Sequence, residues 1–332
     1  MGCLSSYAAD NSIYIDQAGD NSTVTITQDG SGNKVKGILL NNSAGGTTDP
    51  AILRGNAQTI NIGQVGAGNT LALGMNTTQG GTVTGYANIG GYLNYQITGG
   101  SNTGYININN NGQGTATGNV VDVTQTGNSN NFNLNMTGTS NQMTVNTRGG
   151  NSNSVVASIN ADKTLVNIDQ SGGGSNTTNL TMTGNQGQVN LTTIGAANNT
   201  TVNQSAYSAL GSQALISITG SGNTTSVTQS GVADQYASIT LNSGSNNNNI
   251  TVSQVGNYAD VANILLGNGS IGNTINLAQS GGGANGGQTA TLELVAGSSS
   301  NNIGITQQGT VSNLVNLKVN GSNNSYTILQ KN

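Results

Sequence analysis

Eleven carboxylates, seven basic side chains and one thiol are all that 332 residues provide for acid–base, metal or thiolate chemistry, and histidine is absent. Without histidine there is no His-based triad, acid–base pair or zinc site to build. What remains is a carboxylate pair on one face. Glu293 lies inside TLELV on the outward parity, and Asp16, Asp29, Asp122 and Asp169 each sit beside a glutamine or an inward aliphatic and also point out. Carboxylates so scattered read as charge that discourages lateral sheet association rather than as a catalytic pair. The stretches SGGGS (Ser171–Ser175) and SGGGANGG (Ser280–Gly287) are followed by no Gly-Lys-Ser/Thr and open no helix, so they are not phosphate cradles. They also lack the aspartates of a calcium-binding nonapeptide repeat. The sequence predicts no enzyme, no cofactor and no metal.

The residues that do recur at fixed spacing are glutamines. Gln204, Gln229, Gln254 and Gln279 are each 25 residues apart, and an alternating segment precedes each one: TTVNQ, TTSVTQSG, NITVSQVG, NTINLAQSG. Val227, Ile250, Val252, Ile275 and Leu277 share the parity of their glutamine, which is the pattern of a strand with one buried face. Near-identical strands at such a period signal a stacked solenoid. Buried carboxamides are costly without partners. In a stack the residue above and below is the equivalent glutamine, so amides can bond in a ladder along the axis.

The same strand type appears at Gln17, Gln28, Gln64, Gln125, Gln170, Gln307 and Gln330, and a spacing of 11 between Gln17 and Gln28 puts two strands in one coil. A second type places glycine where the first has glutamine, as at Gly138, Gly184, Gly220 and Gly321. Glycines two residues after a glutamine, at Gly19, Gly30, Gly66, Gly127, Gly231, Gly256, Gly281 and Gly309, suit the positive φ of tight corners. Asparagine tolerates the same region. The predicted fold is all-β: a solenoid of about 13 two-strand coils with internal Gln/Asn ladders, ~60 Å long at ~4.8 Å per layer. Residues 1–11 read as a tail and 12–332 as one solenoid. Residues 41–59, with the only proline (Pro50) and Arg54, break the period and read as an irregular loop leaving one corner. Residues 80–112 are the least regular, with strands expected near Tyr92–Thr98 and Tyr105–Asn109.

Composition agrees. Charged residues are 5% and aromatics 3%, with 51 glycines and one proline, whereas disordered chains combine low hydrophobicity with charge and proline. A net charge of −4 with no basic patch excludes a nucleic-acid footprint. No apolar run approaches the ~20 residues of a membrane-spanning helix, and the aromatic girdles of a membrane barrel are missing. Cys3 is the single cysteine, so no internal disulfide is predicted. Gly2 and Ser6 fit the myristoylation spacing with Cys3 beside them, although a short tail into the first strand is the plainer reading. MGCLSSYAAD has no basic n-region or apolar h-region and is not read as a secretory signal.

These residues resemble the curlin repeat, the subunit repeat of bacterial curli fibres. Gln28-Gly30-Asn33, Gln64-Gly66-Asn69 and Gln125-Gly127-Asn130 have its glutamine, glycine two on and asparagine three further, and Gln229-Gly231 has Asp234 in the last place. Curlin repeats carry a second glutamine in the following strand, where this chain mostly has glycine or another small residue. The resemblance implies a self-associating structural subunit. The reading is a rigid, non-enzymatic solenoid of a fibre or appendage, extracellular or on a virion surface, in a bacteriophage fibre or spike or else as a secreted curli-like subunit serving adhesion. Its partners would be other structural subunits met through the solenoid ends. Outward threonines in TVTIT (Thr23, Thr25, Thr27) and LTMT (Thr181, Thr183) raise a competing reading, a module binding ice, glycan or a cell surface.

Overall fold

The computed structural model describes residues 10–18, 20–38, 50–54, 58–75, 92–109, 120–137, 142–147, 149–160, 164–171, 173–183, 187–206, 212–281 and 286–331. Regular structure among them is entirely strand, and the strands form two parallel sheets. From Tyr92–Thr98 onward the chain alternates between sheets, so each internal strand pairs with the strand two before it and the strand two after it. The first sheet runs from Ser12–Ile13 to Ser325–Lys331 and has 15 strands; the second runs from Thr23–Asp29 to Leu314–Val319 and has 12. This is the all-β solenoid of two-strand coils that the alternation predicts.

Parallel sheets usually lie buried on both faces. Here one face of each stays wet, because coiling pairs every internal strand on both sides without any covering helix. In Asn249–Gly256 the inward Ile250, Val252 and Gln254 are buried while Thr251 and Ser253 are half-exposed. Across the core, Tyr236–Leu241 turns in Ala237, Ile239 and Leu241. Three inward positions per strand make a thin core, and the pairing keeps them aligned. A one-residue slip would turn every one of them outward. The sequence interval between paired first-sheet strands stretches from 22 residues (Thr177 to Asn199) to 36 (Lys34 to Thr70) with register kept.

That 36-residue interval corrects the reading of residues 41–59. Ala51–Arg54 is a strand: Ile15–Ala18 pairs with it on one side and Thr70–Met75 on the other. Thr70–Met75 also pairs with Lys34–Lys36. The two short strands are therefore halves of one layer, and the excursion leaves from mid-strand rather than from a corner. Pro50 stands where the layer resumes, outside the ladder, as a residue without an N–H must. Residues 41–49 and 55–57 lie outside the described residues, and Thr59 already belongs to the next strand, Thr59–Val65. Arg54 is held by an ion pair to Asp16, 2.6 Å from Nη2 to Oδ2, and also donates to the Asp16 carbonyl at 2.8 Å. The guanidinium holds the Asp16 carboxyl below the usual carboxylate range.

In the irregular region the strands are Tyr92–Thr98 and Thr103–Asn109, close to expectation. The core is not purely aliphatic there. Tyr95 and Phe132 are fully buried, and Gly104, beside Phe132 in the sheet, leaves room for the tyrosine: a Cβ at Gly104 would lie 2.9 Å from its ring. The Tyr95 hydroxyl finds no hydrogen-bond partner among the described residues, and burial pushes its pKa up.

Candidate functional site

The glutamines form two separate ladders on different sheets. Gln204, Gln229, Gln254, Gln279, Gln307 and Gln330 end successive strands of the first sheet. Each Nε2 donates to the next Oε1 at 2.7, 2.8, 2.9, 3.0 and 3.0 Å. The amide also donates sideways to the carbonyl that opens a second-sheet strand, as Gln254 does to Tyr236 at 3.0 Å. The ladder thus ties the two sheets together at one corner. Gln28 and Gln64 sit on the second sheet and bond at 2.7 Å.

The remaining glutamines do not extend either ladder. Gln64 is followed in register by Ile97, and Gln125 lies between Ile97 and Thr147. Neither neighbour of Gln125 can return an amide bond, and both its amide atoms are buried without a partner among the described residues. Gln170 donates to Thr178 Oγ1 at 2.7 Å instead of to a glutamine. Gln17 pairs in register with Leu53 and is exposed. The glutamines do not join into one ladder because Gln17 lies on the first sheet, Gln28 to Gln170 on the second and Gln204 to Gln330 on the first again.

Asparagine makes the continuous stack. Thirteen asparagines, from Asn11 through Asn33, Asn69 and onward to Asn324, stand one per layer at the opposite corner, each just before a first-sheet strand. At every step the backbone N–H of one asparagine donates to Oδ1 of the asparagine in the preceding layer, at 2.9 to 3.1 Å. Asn248 shows the full pattern. Its Nδ2 donates to Asn223 Oδ1 at 3.0 Å and to the Ser270 carbonyl at 2.8 Å, while its Oδ1 accepts from the N–H and Nδ2 of Asn273 at 3.0 and 2.9 Å. One side chain serves three layers. The internal Gln/Asn ladders expected from the sequence are present, but the sequence reading named no asparagine for them and did not place this one at a corner in every layer. The available signal was an Asn-Ser, Asn-Thr or Asn-Asn pair opening nearly every first-sheet strand.

Glycines close the corners. At Gly30, Gly66 and Gly127, with φ of 107°, 111° and 113°, an added Cβ would collide with the carbonyl of the glycine one layer on, Gly66, Gly99 and Gly150. The Gly66 carbonyl is also what Asn33 Nδ2 reaches, at 2.8 Å. Gly220 stacks beneath the Ser245 carbonyl without a left-handed φ, and Gly321 has φ 128°. At the glutamine corner Gly231, Gly256, Gly281 and Gly309 form a second stack, of which all but Gly256 have positive φ. Gly19, Gly138 and Gly184 lie outside the described residues.

The glutamine corner also buries a carboxyl. Asp260 is fully buried; Oδ1 accepts the Gln288 N–H at 2.7 Å, and Oδ2 has no partner among the described residues. Gln288 Oε1 in turn accepts the Asn313 N–H at 2.9 Å, so Asp260 occupies an amide's place in a short ladder. Desolvation pushes its pKa up to about 6, with the Gln288 hydrogen bond opposing. The native fold therefore prefers the protonated form relative to an unfolded chain of pKa ~3.9. Stability is fully present below about pH 4 and falls as pH rises through 6, by an expected ~2–3 kcal/mol. Thermal melts of Asp260→Asn should lose that slope. A variant that kept the wild-type pH profile would place its origin elsewhere.

The other carboxylates stay apart. Glu293 pairs with Lys318 of the neighbouring layer at 2.8 Å on the outer surface, a contact worth at most ~1 kcal/mol. Among the described residues no group of three His, Cys, Asp or Glu could hold a metal ion, and no helix is long and apolar enough to cross a membrane. Among the described residues no strand covers either end of the stack. Ser325–Lys331 pairs only with Asn302–Gly309 among the described residues, and its inward Tyr326 and Ile328 are only partly buried. At the other end Ile15, Val24 and Ile26 are likewise only partly covered.

The family model of the curlin associated repeat matches residues 7–35. No curated protein and no solved structure matches the chain.

Proposed function

We propose that this chain is a non-enzymatic structural protein, a rigid solenoid that forms or projects from a fibre or appendage and docks onto further subunits through its ends. The observation that carries this reading is that the end layers are built like internal ones. A copy stacked in register would set Ser12 over Ser325, Asn11 over Asn324 and Gln17 over Gln330. The Asn11 N–H would then meet Asn324 Oδ1, the bond made at every internal step. Repeating one such heterologous contact along an axis gives a filament.

Two settings suit such an element. One is a bacteriophage virion fibre or spike. The other is a secreted curli-like fibre subunit, which the curlin-repeat match at residues 7–35 supports. A gene position among virion genes or beside secretion-channel genes separates them. Micrographs of the purified protein test the shared claim: end-to-end particles are expected, and deleting Asn324–Asn332 should abolish them with β-sheet circular dichroism retained. A full-length chain that stays monomeric at high concentration, with both terminal strands strongly protected from hydrogen exchange, would defeat it.

A further inference from the structure

Nine consecutive first-sheet strands, from Thr103–Asn109 to Asn302–Gly309, contain no charged residue. The charges of this sheet are Asp16, Lys34, Lys36 and Arg54 in the first two layers and Lys331 in the last. The second sheet carries charge in five of its 12 strands, at Asp29, Asp122, Asp169, Glu293 and Lys318, and its longest neutral run is the four strands from Gln188–Thr193 to Val261–Leu266. The neutral face presents short amide and hydroxyl side chains, among them Asn133, Asn179, Thr201, Thr228, Thr251 and Asn276, all half-buried or exposed.

We propose that the outer face of the first sheet is a lateral self-association surface, on which a second copy of the chain lies face to face. Size allows it. Nine layers at ~4.8 Å by seven residues at ~3.3 Å span ~1,000 Å², against ~800 Å² per partner in a standard stable interface. Chemistry favours a copy of the same face, because every amide and hydroxyl offers both a donor and an acceptor. A two-fold pair then places like side chains opposite one another with each able to bond. Short side chains in regular rows interdigitate into the dry interface of stacked β-sheets. Pairing through the second sheet would instead bring Asp122 and Asp169 against their equivalents or leave them desolvated, which costs several kcal/mol. Tyr105 is the one aromatic on the neutral face among the described residues, which leaves little platform for stacking sugar rings.

The test uses the full chain. Electron micrographs and sedimentation of the wild type should show side-by-side pairs of double width. Thr228→Lys with Thr251→Lys introduces four desolvated ammonium groups per two-fold pair and should raise the pair dissociation constant by about 100-fold or more, with circular dichroism and melting unchanged. Ser217→Lys with Asn263→Lys on the second sheet adds the same charge and should pair like wild type. Wild-type particles of single width at every concentration would overturn the proposal, as would equal loss of pairing in both double variants. So would a neutral face whose lysines abolish adsorption to ice or microcrystalline cellulose in a chain that never pairs. Width reports lateral pairing and length reports end docking, so either can fail alone.

Discussion

Asn248→Ala should destabilise the fold by about 4 kcal/mol, while Asn249→Ala, one residue on, should cost within ~0.5 kcal/mol. The two residues have the same chemistry and opposite sides. Asn249 is exposed. Asn248 is buried and makes four bonds across three layers. Truncation leaves the Asn273 N–H without an acceptor inside the stack and takes one of two bonds from each of the Ser270 carbonyl, Asn223 Oδ1 and Asn273 Nδ2. Stranded buried groups cost ~1–3 kcal/mol each, and shared relaxation keeps the total below their sum. Solenoid stability is a sum of coil and neighbour terms, so the loss should be local. Hydrogen exchange should quicken first in Thr224–Gly231, Asn249–Gly256 and Thr274–Gly281. Equal denaturation midpoints for the two variants would show that the asparagine ladder carries no stability.

The architecture was legible because a solenoid writes its geometry into the chain several times over. Alternation in NITVSQVG and its equivalents fixed the buried parity, and the 25-residue interval fixed the layer. The ladders were less legible. A run such as VVDVTQTG looks the same whether it lies on the first or the second sheet, since both are parallel strands with one wet face. The sequence therefore could not reveal that Gln125 and Gln229 stand on different sheets. What decides a glutamine's partners is the residue in register one layer away, and for Gln125 those are Ile97 and Thr147. The mid-strand insertion was hidden for a related reason. Neither Lys34–Lys36 nor Ala51–Arg54 is long enough to show a period, and only pairing with Thr70–Met75 joins them into a layer.

Division of labour between the two corners follows from side-chain length. Asparagine's short amide stays near its own backbone and so can accept the N–H of the next layer, fixing axial spacing and the turn together. Glutamine reaches one methylene further and spans from the end of one sheet to the carbonyl that opens the other, as Gln279 does to Val261 at 3.0 Å. Loss of the glutamine bonds in the middle of the chain leaves the asparagine stack as the one ladder common to all coils, which is why it is never interrupted.

Gly231→Ala should be the most damaging glycine substitution in the C-terminal half, costing more than ~3 kcal/mol from strain and collision together. Gly231 has φ 137°, outside the left-handed basin that other residues enter, and an added Cβ would collide with the Gly256 carbonyl and lie 2.7 Å from its carbon. That carbonyl is backbone in a paired layer, so it cannot swing aside as a side chain would. Gly269 separates strain from space. Its φ is 71°, and nothing lies within 4 Å of an added Cβ. Gly269→Ala should therefore cost only the ~1–2 kcal/mol of a left-handed residue. Gly269→Asn should cost less, because asparagine is tolerated there and already holds φ 55° at Asn247 and 59° at Asn323. Melting temperatures should fall in the order wild type, Gly269→Asn, Gly269→Ala, Gly231→Ala. If Gly231→Ala melted with Gly269→Ala, the layers would have room to part at the corner, and close stacking of glycine beneath carbonyl would not be what sets the spacing of the coils.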